Sequence, residues 1–151
     1  MRMQKINRLF YALGIFAVLF CSNAYADKIV QDAGALPEPA QQFLKATFPD
    51  RAVSYVKIDK NLIGPDEYKA ILADGTEVEF DGKGQWVEIK AKAAGVPASV
   101  VPAPIATYVA EKFPNAKIQQ IEKTRRGWSV ELSNDLEVKF DKDLKFLRLD
   151  D

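Results

Sequence analysis

Apolar residues fall into three patterns along this chain: one continuous run from Leu9 to Phe20, two short stretches at helical spacing, and several runs that alternate with polar residues. Ile105, Tyr108, Val109 and Phe113 recur at the spacing of one helix face, which predicts a helix from Pro102 to Lys112, and its counterpart runs from Pro37 to Thr47. The prolines of Leu36-Pro37-Glu38-Pro39 and Val101-Pro102-Ala103-Pro104 are tolerated in a first helical turn, and Pro49 and Pro114 stop each helix. Alternating runs predict strands at Val53 to Ile58, Tyr68 to Ala73, Thr76 to Phe80 and Trp86 to Lys90. They recur at Lys117 to Lys123, Trp128 to Ser133, Leu136 to Phe140 and Lys145 to Leu149. Asp74-Gly75 marks a two-residue hairpin turn.

The two series are copies of one unit. Phe48-Pro49 and Phe113-Pro114 are separated by 65 residues, whereas Asp74-Gly75-Thr76-Glu77-Val78-Glu79-Phe80-Asp81 and its match ending Leu136-Glu137-Val138-Lys139-Phe140-Asp141 are separated by 60. The difference belongs to the longer turn containing Gly64-Pro65-Asp66, where Thr124 to Gly127 is tight. Successive strand residues face opposite sides of a sheet, so strict alternation puts Tyr68, Ala70, Leu72, Val78, Phe80, Val87 and Ile89 under the helices. Trp128, Val130, Leu132, Val138, Phe140, Leu147 and Leu149 match them. A unit of about 50 residues with one small helix is marginal alone. The expected fold is therefore α+β, with two tandem helix-plus-antiparallel-meander repeats sharing one sheet and both helices on one face. Residues 27–35 form an N-terminal arm, 36–90 the first repeat, 91–98 a linker and 99–151 the second repeat.

Composition adds the compartment. Arg2, Lys5 and Arg8, the apolar run and the small-residue end Ala24-Tyr25-Ala26 together read as a signal peptide, residues 1–26, cleaved after Ala26. The run is about 12 residues, short of the ~20 a helix needs to cross a bilayer, and no second one follows, so the protein is expected to be exported to the periplasm or secreted, not membrane-spanning. The 21 basic residues less those three leave 18 against 21 acidic, a net charge of −3 that attracts no nucleic acid.

With no histidine anywhere and its one cysteine, Cys21, in the leader, the mature chain lacks the usual imidazole base, a Ser-His or Cys-His pair and the favoured zinc ligands. It is not expected to be an enzyme or to carry a cofactor. Asp81-Gly82 and Asp141-Lys142-Asp143 lie in turns without the spacing of an EF-hand, and no metal site is assigned. The face away from the helices is more informative. Strict alternation places Tyr55, Lys57, Lys69, Ile71, Glu77, Glu79, Trp86 and Glu88 there, with Gln120, Glu131, Lys139, Phe146 and Arg148 from the second repeat. Matched aromatics among charges, with no sequence left over to cover them, mark a partner site at Trp86, Phe146, Tyr55, Ile71 and Arg148. A single bulge after Gly84 or Leu144 would instead turn both rings into the core.

The Leu-Pro or Val-Pro helix starts, the Phe-Pro ends, Asp74 to Asp81 followed by Gly82-Lys83-Gly84-Gln85-Trp86, and the closing Phe146-Leu147-Arg148-Leu149-Asp150-Asp151 resemble the PepSY-like family of exported bacterial proteins. In that family the tandem units are similar in architecture to a secreted beta-lactamase inhibitor protein, whose concave sheet face grips its target. The resemblance implies a small non-catalytic envelope protein, either an inhibitor of an exported protein or peptidase or a peptide-binding module. The alternative is a structural or sensory component that binds a small ligand or calcium ion near Asp59, Asp66, Glu67, Asp81 and the acidic C-terminus.

Overall fold

The computed structural model describes residues 27–151; the leader expected over residues 1–26 lies outside them. Nine strands and two helices follow one another as β1 (Lys28–Val30), α1 (Glu38–Thr47), β2 (Val53–Asp59), β3 (Glu67–Leu72), β4 (Glu77–Phe80) and β5 (Trp86–Lys90), then α2 (Ala103–Lys112), β6 (Ile118–Thr124), β7 (Gly127–Leu132), β8 (Glu137–Asp141) and β9 (Phe146–Asp150). All nine strands form one antiparallel sheet in the order of the sequence. The class is α+β. No described helix is long and apolar enough to cross a membrane.

Both helices end alike. The Phe48 N–H donates to the Leu44 carbonyl and the Phe113 N–H to the Val109 carbonyl, each at 2.8 Å, and the following proline prevents a further turn. α1 buries Ala40 and Leu44, and α2 buries Ile105 and Val109. Beneath them lies one continuous core. Val56, Ala70, Leu72, Val78, Phe80 and Ile89 supply one half and Ile121, Val130, Leu132, Val138 and Phe140 the other. The alternation in the strands thus selects the helix side as read, with two exceptions at Val87 and Leu147 that a bulge explains below.

The N-terminal arm is part of the sheet. β1 pairs with β2, Lys28 opposite Ile58 and Val30 opposite Val56. The halves join through β5 and β6, where Glu88, Ile89 and Lys90 oppose Glu122, Ile121 and Gln120. The Ala91 and Val96 N–H groups continue this seam onto the Gln119 and Ile118 carbonyls at 2.8 and 2.9 Å. A lysine lies beside this seam on the helix side. Lys123 occupies the position that corresponds, 65 residues on, to buried Ile58, and its Nζ sits 3.6 Å from the ring centroid of Trp86 and 5.6 Å from that of Trp128. Burial holds the Lys123 ammonium below its usual range.

Candidate functional site

The face opposite the helices carries no third layer among the described residues, and cross-strand register arranges its side chains in rows. One row runs Lys57, Lys69, Glu79, Glu88, Glu122 and continues through Ser129 and Lys139 to Arg148. Its neighbour runs Tyr55, Ile71, Glu77, Lys90, Gln120 and continues through Glu131 and Glu137 to Asp150. Pairing across strands offsets much of this charge. Lys69 reaches Glu79 at 2.6 Å and Glu77 at 3.6 Å, while Lys139 reaches Asp150 at 2.7 Å and Glu137 at 3.0 Å. The Ser129 hydroxyl donates to Glu137, and that bond, with the charge of Lys139, holds the Glu137 carboxyl below its ordinary range although burial opposes it.

Three carboxylates, Glu79, Glu88 and Glu122, stand in adjacent strands at the centre. Burial and then the charge of Glu79 push the Glu88 carboxyl up, against the opposing Lys90 ammonium at 3.3 Å. Gln120 donates its amide to Glu88, and no described group of acids is arranged to hold a metal ion. Near the β1 edge the Asp59 carboxyl is raised by its hydrogen-bonding contact with Asp27, by burial and by the Asp27 charge. The turn aspartates serve their own backbones: Asp81 Oδ1 accepts from the Lys83 and Gln85 N–H groups and Asp141 Oδ1 from those of Asp143 and Lys145, all at 2.9 Å.

The five expected partner residues do not lie together. Tyr55 and Ile71 oppose each other on the open face, and Arg148 lies on the same face at the far side of the sheet. Trp86 and Phe146 are on the helix side. Ladder pairs step from Glu79–Glu88 to Phe80–Trp86 and from Lys139–Arg148 to Phe140–Phe146, skipping Val87 and Leu147. Each bulge follows a five-residue turn whose fourth residue, Gly84 or Leu144, has positive φ of 79° or 63°. The extra residue flips the ring across the sheet. Trp86 then stacks on Phe43 of α1 at 6.1 Å and meets Trp128 edge-on at 6.0 Å, and Phe146 stacks on Tyr108 of α2 at 5.0 Å. The reading of both rings as open-face residues is corrected accordingly, and Val87 and Leu147 take the positions those rings vacate.

A groove of about 730 Å³ occupies the β6–β9 end of the sheet. Arg125 and Arg126, in the β6–β7 turn, line it with Lys139, Arg148, Glu122 and Leu147. The corresponding hollow in the first half is about 130 Å³ and is lined by Asp59, Glu67, Glu79 and Asp81 around Lys69. Corresponding places therefore carry opposite charge. Glu122 was not singled out from the sequence and strict alternation puts Leu147 under the helices; the signal available was the replacement of Glu79 and Glu88 by Lys139 and Arg148 at the 60-residue offset.

A single antiparallel sheet with both helices on one side and a charged open face is the class of protein this geometry defines. Residues 66–148 match a family profile described as "Putative beta-lactamase-inhibitor-like, PepSY-like", and the chain belongs to that PepSY-like family. A Bacteroides thetaiotaomicron structure described as a "putative calcium-regulated periplasmic protein" is 36% identical, with 83% of this chain and 97% of that one covered and a TM-score of 0.78. A "putative periplasmic protein of unknown function" from Bacteroides vulgatus is 37% identical, with 83% and 100% covered and a TM-score of 0.79. A second "putative periplasmic protein" of that organism is 38% identical, with 85% and 99% covered and a TM-score of 0.78. No protein with a curated description matches the chain.

Proposed function

We propose that the chain is a non-catalytic periplasmic binding module, built from two copies of one helix-plus-four-strand unit, whose open sheet face holds an exported protein or peptide. The observation that carries this reading is the uncovered face itself, with Tyr55 and Ile71 side by side in the first half and a large charged groove ending at Arg148 in the second. Similar solved proteins described as periplasmic support the compartment. Inhibition is one consequence of such binding. Envelope extract passed over the chain from Asp27 to Asp151 tests the reading, beside a Tyr55→Asp, Ile71→Asp variant and an Arg148→Glu variant. A protein retained by the wild type and lost from either folded open-face variant supports it. Equal retention by all three baits removes the open face as the site.

Calcium is the second reading, favoured by the description of the Bacteroides thetaiotaomicron relative and by Asp59 standing opposite Glu67 across β2 and β3. A ligand that binds only the folded state raises Tm. An unchanged Tm in millimolar calcium against chelator would sink it.

A further inference from the structure

β9 ends the sheet, so its outward N–H and C=O groups have no neighbouring strand among the described residues. Such edges are commonly blunted by shortness, proline or lysine. The opposite edge follows that rule, since β1 has three residues and begins with Lys28. β9 follows it less closely: it carries Arg148 and Asp150 but no lysine or proline, has five residues, and exposes Phe146, Leu147 and Leu149 to 44, 56 and 44%. It also borders the groove through Leu147 and Arg148.

The two sides of β9 differ in chemistry. On the helix side Phe146 and Leu149 offer apolar surface. On the open side Arg148 stands beside Lys139, and Arg125 and Arg126 close the same groove from the β6–β7 turn. Among the described residues neither Arg125 nor Arg126 takes part in an ion pair, while Lys139 and Arg148 share Asp150. The groove thus holds four cationic side chains against Glu122 and Glu137.

Resting on the binding-module reading above, we infer that β9 and its groove receive an extended peptide segment in which acidic and apolar residues alternate, added to the sheet as a tenth strand. An added strand would send alternate side chains to opposite faces. Carboxylates then fall on the open side, where cross-strand neighbours are about 5 Å apart and Arg148 can bind them, and apolar side chains cover Phe146 and Leu149. The unpaired backbone selects a polypeptide over other polyanions. The charge selects an acidic one, because four cationic side chains line the groove against two carboxylates.

The probe is a labelled peptide, acetyl-Glu-Val-Glu-Val-Glu-Val-Glu-amide, titrated into the chain from Asp27 to Asp151 by anisotropy. It is compared with the Lys-Val analogue, with the same peptide N-methylated along one edge, and with inorganic polyphosphate. Expected are binding by the acidic peptide, weakening of about tenfold or more on N-methylation, and slowed hydrogen exchange of the β9 amides. The variant Arg125→Glu, Arg126→Glu, whose side chains lie in an exposed turn and leave the fold intact, should also weaken the peptide by about tenfold or more. No binding by about 1 mM peptide, indifference to N-methylation, or a polyphosphate that competes as well and protects β9 no less would overturn the inference. If the peptide pairs with β9 but the Tyr55→Asp, Ile71→Asp variant keeps its partner, the first-half part of the earlier reading falls and the strand site stands. The converse result removes only the strand site.

Discussion

Trp86→Ala separates a ring that binds a partner from one that holds the molecule together. The ring is partly buried against the core and makes three contacts, with Phe43, Trp128 and the Lys123 ammonium. Truncating a fully buried tryptophan costs about 3–5 kcal/mol. Partial exposure lowers the transfer and cavity contribution to about 2 kcal/mol, and loss of the aromatic and cation–π contacts adds about 1 kcal/mol, for a total of about 3 kcal/mol. Phe146, 44% exposed and held mainly by its stack on Tyr108, should cost only about 1 kcal/mol on truncation. Urea titration followed by circular dichroism and by fluorescence of the remaining Trp128 measures both, and Tm should fall by roughly 10 °C for Trp86→Ala and by roughly 4 °C for Phe146→Ala. A loss below about 1 kcal/mol for Trp86→Ala, with partner retention abolished, would refute the structural assignment and return the ring to the binding site.

Other outcomes follow from single positions. Asp135 has φ of 65° at the place where the first half has Gly75, so Asp135→Gly should stabilise the protein by about 0.5–1 kcal/mol in thermal melts. At Gly127 a Cβ would come within 2.0 Å of the Phe140 carbonyl oxygen, and Gly127→Ala should cost about 3 kcal/mol or more in urea titrations because β7 must move away from β8. The raised Glu88 carboxyl makes the folded state hold its proton more tightly than the unfolded chain, so its contribution is complete below the unfolded value and is lost as pH rises through the folded one. Glu88→Gln should therefore raise Tm at pH 7 and flatten that part of the pH profile. Lys123 is depressed, so the unfolded chain binds its proton more tightly and this residue's destabilising contribution disappears as pH rises from its folded value towards 10.5. Lys123→Met should raise Tm at neutral pH and remove that rise, as scanned by calorimetry.

Much of the architecture was legible because two signals agreed at each step. Proline placement bounded both helices to within a residue, and alternation chose the buried side wherever the strand kept regular register, as at Ala70, Leu72 and Val130. The rings at Trp86 and Phe146 were assigned to the other face because a one-residue bulge leaves no mark in an alternating pattern. The positive φ at Leu144, a leucine, is invisible in sequence, and only Gly84 in the corresponding turn hints at it. The strand order was open for a similar reason, since alternation says which way a side chain faces and nothing of which strand lies beside it. Nothing in the sequence of the tight turn at Arg125 and Arg126 shows that β8 and β9 place Lys139 and Arg148 in the same groove.

The strictly sequential order of the sheet bears on how the chain acquires its shape. Every strand pairs with the one made just before it, so loop closure involves short separations and folding should be quick for a protein dominated by β-structure. A chain emerging end-first from a ribosome or a pore could lay down β1 on β2 and extend the sheet one hairpin at a time, without waiting for a distant segment. At each stage the newest strand would form a temporary edge. Among the described residues, β9 is the one of these edges that no later strand covers.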